Sequence, residues 1–300
     1  VSNAKLRNAK FSINELVKQT KGYSFASQAD MRHMLFRCIK DLHHLGFKVG
    51  HIKGLQPKHI YNLVNLWKTQ DKNTATIKNY MSKLRRAAIL LDNPKLIKPG
   101  NDAYDIAKRS YTPTYNKAIH NIDLSACTDP YIRLSLEGQA LFGLRREESM
   151  KFTLSEAWQD TYTITILPSW TKGGVGRVLV ITNATQRQWL EKVNRLVSAG
   201  KSLITQDRTY KQHLHYYQKE ITLMGLSKLH GLRHSYAQKR YYTLTRSLDL
   251  NKNGWHSPIA GGPQKKNLTS LQKKIDLQVR YIISRELGHT RIAIVKIYCG

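Results

Sequence analysis

The sequence predicts a mainly α-helical chain with a small β-sheet, an α+β arrangement in two domains. Three observations carry that expectation. Apolar residues recur at three- and four-residue spacing through most of the first hundred positions. Further along, two short segments of alternating character flank a Gly-rich turn, among more helical patterns. Between these parts, Asp92, Asn93, Pro94, Pro99, Gly100, Asn101 and Pro113 make 92–114 a breaker-rich stretch of the kind that joins domains. The organisation expected is a helical domain over 1–100, a linker over 101–114 and a second domain over 115–300, with an inserted segment at about 245–269.

The first clear helix is expected from Ser27 to Phe47. Met31, Met34, Leu35, Cys38, Ile39, Leu42 and Leu45 line one side, and Gly46 can close it. Only about 25 residues precede it, too few for a full separate domain, and that segment, with Lys5, Arg7, Lys10, Lys18 and Lys21, can still touch DNA. Pro57 opens a second helix, with Ile60, Leu63, Val64 and Trp67 on one face. Asn73 caps a third, with Ile77, Tyr80, Met81, Leu84 and Ala88 inside and Lys78, Lys83, Arg85 and Arg86 outside. In the second part, Pro130 opens a helix that runs towards Gly143. TYTITIL (161–167) and RVLVIT (177–182) read as strands joined by PSWTKGGVG. Helices are expected at about 185–198, 208–224 and 232–243. A polar, turn-rich stretch over 245–269 leads to a last helix from about 270.

Composition restricts the partners. The 300 residues carry 49 Lys and Arg against 20 Asp and Glu, a net charge of +29 and a pI near 10.1. Residues 1–100 contribute +14 and the remainder +15, so the excess is not a detachable basic tail. Such a balance points to a polyanion, with nucleic acid favoured over a generically basic protein or a membrane-surface helix. No apolar run is long enough to span a membrane, and charged and amide residues interrupt the start where a signal peptide would have its apolar core. Cys38, Cys127 and Cys299 are odd in number and far apart, which excludes a disulfide framework and fits a reducing cytosol.

Three clusters place cationic or titratable groups at element ends: GLRREES with Arg145, LHGLRHSY with His230 and Arg233, and ELGHTRIAIVKIY with His289 and Tyr298. Each alone has an ordinary explanation. An Arg after a helix is usually a surface ion pair, and a Tyr is usually packed core. Together they form an inventory for phosphoryl transfer without a metal. Two guanidinium groups can clamp phosphate oxygens, two imidazoles can move protons, and a phenol is a usable nucleophile once helped. Lys172, at the tip of the hairpin, suits protonation of a leaving alkoxide. No CxxC, HExxH or DxDxDG box is present, and GGVG is not followed by GK[ST]. No cofactor is expected.

On these residues the sequence resembles the tyrosine recombinases, or phage integrases, over nearly its whole length. FGLRREE is similar to the first Arg motif, with Glu148 at the acidic position. HGLRHSYA is similar to the His-x-x-Arg motif, and LGHTRIAIVKIY to the LGH box with its Tyr nine residues on. TKGG matches the Lys-bearing hairpin. The resemblance implies a SAM-like core-binding domain followed by the family's catalytic domain. It implies that Tyr298 forms a 3′-phosphotyrosyl link, that Arg145 and Arg233 hold the phosphate, and that Lys172 is the general acid. His230 would assist proton transfer, and His289 would hydrogen-bond the phosphate.

DNA contacts are expected from Lys78, Lys83, Arg85 and Arg86, and from Lys265 and Lys266 in the insertion, with the two domains clasping the duplex. The implied partners are double-stranded attachment sites, a homotetramer on DNA formed from monomers, and accessory DNA-bending or directionality factors. No membrane is involved, and the implied setting is the bacterial cytoplasm. Two departures from the pattern stand out. Arg233 and His289 are 56 residues apart, far more than compact members need, and the sequence runs only two residues past Tyr298, short of the tail that docks many relatives on a neighbour. The competing readings are a type IB topoisomerase-like relaxing enzyme and a non-catalytic DNA-binding protein derived from an integrase.

Overall fold

The computed structural model describes residues 2–108 and 111–300, which fall into two units divided after residue 110. In the first, α1 (Ser2–Lys18), α2 (Phe25–His44), α3 (Pro57–Thr69) and α4 (Thr74–Leu90) enclose a core that includes Leu35, Ile39, Leu63, Trp67, Met81 and Leu84. Ser24 caps α2 through the Ser27 N–H, Pro57 is the first residue of α3, and Asn73 accepts the Ala75 N–H at the start of α4. The Trp67 indole donates to Asp41 at 3.1 Å, which seats a large ring without stranding its N–H.

Two expectations are corrected here. The N-terminal segment, expected to precede the first clear helix, is itself helical. It is helix α1, which packs on α2 with Ala9, Ile13, Leu16 and Val17 buried. That apolar stripe is narrow and surrounded by Lys and Asn, so the pattern is faint before a partner surface is known. The stretch expected to link the domains also begins later than 101. Tyr104 and Ile106 are buried in the first core, and Arg85 holds the preceding turn through Lys98 O (3.1 Å), Gly100 O (3.2 Å) and Asn101 Oδ1 (2.8 Å).

The second unit opens with α5 (Pro130–Phe142), capped by Asp129 through the N–H groups of Tyr131 and Ile132. It stops at Gly143, which has φ +61° and lies against the Tyr236 ring. A Cβ there would approach that ring to 2.5 Å. Short helices α6 (Arg146–Met150) and α7 (Leu154–Ala157) lead to the antiparallel hairpin of β1 (Thr163–Ile166) and β2 (Arg177–Val180), in which Thr163 faces Val180 and Ile166 faces Arg177. Ile164, Ile166 and Leu179 point inward to the core of Phe142, Phe152 and Trp189. Helices α8 (Ala184–Leu196), α9 (Tyr210–Leu223), α10 (Gly231–Leu248), α11 (Ser270–Glu286) and α12 (Lys296–Cys299) complete the unit.

The segment inserted between α10 and α11 is packed against the unit. Trp255 is buried, exchanges backbone and side-chain hydrogen bonds with Thr245, and donates its indole N–H to the Tyr241 hydroxyl at 3.2 Å. His256 stacks on Tyr242 with ring centroids 4.4 Å apart. Thr269 then caps α11 in a reciprocal capping box with Gln272.

Candidate active site

Four elements bring the predicted groups together. Arg145 follows the Gly143 turn, where the chain leaves α5 for α6. His230 and Arg233 stand at the start of α10. His289 follows the end of α11, and Tyr298 lies on α12. The Tyr298 hydroxyl is 3.3 Å from His289 Nε2 and 3.4 Å from His230 Nε2. The His234 ring, one turn along α10 from His230, lies 4.6 Å from the Tyr298 ring. Tyr298 is buried, and its carbonyl accepts from the Gln238 amide at 3.1 Å. That amide also pairs with Asn116, so the segment entering the unit is tied to the helix that bears the phenol.

The histidines are neutral near pH 7. Burial, then Arg233 and Arg145, depress His230 below the ordinary range. Burial and the same two guanidinium groups, with Arg177, bring His289 to about 4. Burial, with His230 and Lys117 next to it, brings His234 to about 4. A neutral imidazole offers a lone pair, so these rings can receive the phenol proton.

Arg233 is almost wholly buried. Its guanidinium donates to the carbonyls of Gly143 and Leu287, so it joins the turn before Arg145 to the turn before His289. Burial and the nearby Arg145 and Arg177 lower its pKa to about 10, against the pull of Tyr298. Arg145 is partly exposed, at 27%, and its Nη1 pairs with Glu148 Oε1 at 2.6 Å. Glu148 is fully buried. Burial alone would raise its carboxyl, but hydrogen bonds and charge from Arg177, with the Arg145 backbone N–H, hold it at about 2.

Arg145, Lys172, His230 and His234 line one cleft of about 950 Å³, with Lys117, Arg146 and Lys228 adding positive charge. Tyr298 does not line it, but touches His230 and His234, which do. Lys172 is exposed on the turn between β1 and β2, where Gly173 and Gly174 take positive φ. Among the described residues, no group of three His, Cys, Asp or Glu side chains is placed to hold a metal ion.

None of the residues expected to bind DNA is among those lining the cleft. On α4, Lys83 pairs with Asp30 at 2.6 Å, Arg85 is committed to the 98–101 turn, and the Arg86 guanidinium sits 5.3 Å from the Tyr23 ring centroid. Lys78 is half-buried. The open basic face expected of this helix is therefore largely engaged by its own unit. Lys265 and Lys266 are exposed on a single turn of 3-10 helix. Sequence reasoning missed Arg177, His234, Gln238 and Lys117. The available signals were an Arg at the head of a strand directly after a Gly-rich turn, and a second His in LRHSY.

Comparison with known proteins agrees with this two-unit arrangement. Residues 8–91 match the family described as phage integrase, N-terminal, and residues 104–239 match the integrase family. The integrase match ends before His289 and Tyr298. A lambda integrase dimer bound to a COC′ core site superposes with a TM-score of 0.56 at 16% identity, covering 99% of this chain and 77% of that one. XerH recombinase bound to a palindromic difH substrate gives 0.56 at 17%, covering 97% and 81%. Tn1549 transposon integrase with circular intermediate DNA gives 0.51 at 13%, covering 96% and 95%. At such identities these likenesses establish the fold: a helical SAM-like domain followed by a recombinase catalytic domain. No curated protein matches the sequence. The chain belongs to the tyrosine recombinase, or phage integrase, family, whose members are site-specific DNA recombinases.

Proposed function

We propose that the second unit cleaves and rejoins DNA through a 3′-phosphotyrosyl intermediate, and that the chain uses this chemistry to integrate or excise a mobile element. The observation that carries the reading is the phenol of Tyr298 within 3.3 and 3.4 Å of two neutral imidazoles, in a setting of fixed cations. Tyr298 Oη attacks the scissile phosphorus, and its proton passes to His230. The bond from phosphorus to the 5′-oxygen breaks, and Lys172 protonates that oxygen, leaving a free 5′-hydroxyl. Arg145 and Arg233 stabilise the charge that develops on the non-bridging oxygens, and His289 hydrogen-bonds one of them. The phosphodiester energy stays in the tyrosyl link, so the reverse attack by a 5′-hydroxyl reseals the strand.

Phosphate binding changes the charge of the site in a useful sense. The cations that keep the histidines neutral are partly compensated once an anion lies among them. Their affinity for a proton then rises as the phenol must release one. The reading extends to double-stranded attachment sites, assembly of four copies on DNA from monomers, and work in the cytoplasm with DNA-bending or directionality factors. The lambda integrase and Tn1549 integrase likenesses, solved with DNA, support the DNA partner.

The test is a nicked duplex pool with randomised central sequence, incubated with the full chain and extracted under denaturing conditions. The wild-type protein is expected to leave a protease-sensitive covalent adduct, and Tyr298→Phe to bind the pool without forming one. An adduct formed by Tyr298→Phe would refute the nucleophile. Relaxation of arbitrary supercoiled DNA without recombinant products would move the reading to a topoisomerase.

A further inference from the structure

Glu148 has two oxygens and two guanidinium partners. Arg177 takes both oxygens, with Nη1 on Oε1 at 3.1 Å and Nη2 on Oε2 at 2.7 Å. Its Nε donates to the Glu286 carbonyl at 2.6 Å, and its side chain is only 5% exposed. All three guanidinium nitrogens are therefore fixed, by α6 on one side and the end of α11 on the other. Arg145 shares Oε1 at 2.6 Å, yet it is the partly exposed member and the one that lines the cleft. Both guanidinium groups lie against Gly288, beside His289, where a Cβ would come within 3.3 Å of Arg177 and 3.6 Å of Arg145.

Charge decides which group can move. A carboxylate stripped of its last cation in a dry setting is very costly. With Glu148 alone, Arg145 would be held by that cost, and the pair would be neutral towards an incoming anion. With Arg177 in place, the three groups sum to one positive charge, and Glu148 stays paired when Arg145 leaves.

We infer that Arg177 is the standing counter-ion of Glu148 and thereby releases Arg145 to transfer from that carboxylate to the scissile phosphate. Arg177 is thus a positioning residue, which acts through Glu148 and touches no DNA. The inference rests on the strand-cleaving reading above. It also explains why a cation stands at the head of β2, directly after the turn that carries Lys172.

The test is a double-mutant cycle on single-turnover adduct formation, with protein in excess over a nicked duplex selected from the randomised pool. Wild type, Arg177→Met, Glu148→Gln and the double variant are compared, with DNA affinity and urea unfolding recorded for each. Arg177→Met is expected to slow adduct formation at least about tenfold when Glu148 is intact, and less than about threefold when Glu148→Gln is also present. Equal losses in the two backgrounds would overturn the inference, because they would make Arg177 only a tie to the Glu286 carbonyl. A wild-type rate in Arg177→Met would overturn it too. If Arg177→Met does not fold, Arg177→Gln takes its place, removing the charge and keeping a side-chain donor. Its loss must again vanish in the Glu148→Gln background, and a loss that persists there overturns the inference. Should the wild-type chain form no more adduct than Tyr298→Phe, the strand-cleaving reading itself fails, an outcome separate from any result of the cycle.

Discussion

Lowering the pH from 7.5 to 5 should destabilise this protein through His234. The ring is buried against Tyr298 and next to His230, and its pKa falls from the ordinary 6.5 to about 4. A group with a depressed folded-state pKa contributes stability that is present above the unfolded value. That contribution is lost as pH falls towards the folded value. At pH 5 the unfolded chain carries the proton almost completely, and the folded state carries it in roughly a tenth of molecules. Linkage converts that difference to roughly 2 kcal/mol for this one side chain. His234→Phe keeps a ring against Tyr298 and removes the titration. Urea unfolding of both proteins at the two pH values isolates the contribution, since every other histidine cancels in the comparison. Wild type should lose roughly 2 kcal/mol more than His234→Phe on acidification. An equal loss, or a larger one in the variant, would refute the account of a histidine kept neutral by burial and adjacent cations.

Other outcomes follow from the same geometry. Arg233→Lys cannot serve both the Gly143 and Leu287 carbonyls, so unfolding should show a loss of about 1–3 kcal/mol, and adduct formation should fall by about 10²–10³-fold. Lys172→Met should slow cleavage of ordinary DNA yet spare a substrate whose 5′-bridging oxygen is replaced by sulfur, because a thiolate leaves without a proton. Equal slowing on both substrates would remove Lys172 from the role of acid. DNA affinity should fall steeply between about 50 and 200 mM salt, as a multi-phosphate contact requires, and a flat titration would contradict a cation-lined DNA site.

Much of the fold was legible because local rules and tertiary packing agree. Pro57, Pro130, Asn73 and Gly143 punctuate helices where steric and capping arguments place them, and the Thr-rich β1 and its partner β2 pair across the Gly-rich turn. Helix α1 was not legible, since four small or medium apolar side chains among lysines declare a buried face only when α2 is there to cover it. The same holds for Tyr104 and Ile106, which lie in a run of turn residues and gain their place from a core built by distant helices. On α4 the sequence shows four cations on one side. That Lys83, Arg85 and Arg86 spend themselves on Asp30, a backbone turn and Tyr23 depends on what folds against them.

Residue order alone determined which groups are available: a phenol, two arginines, a lysine and histidines, each at the end of an element, in a strongly cationic chain. It could do so because element ends and charge are properties of short stretches. Folding decided the chemistry of those groups, because pKa, hydrogen-bond partners and burial arise between residues far apart in the chain. Arg177 reaches Glu148 across 29 positions, and His230 reaches Tyr298 across 68. Such contacts exist only once helices and hairpin are packed, and they separate the guanidinium that stays with its carboxylate from the one that faces the cleft.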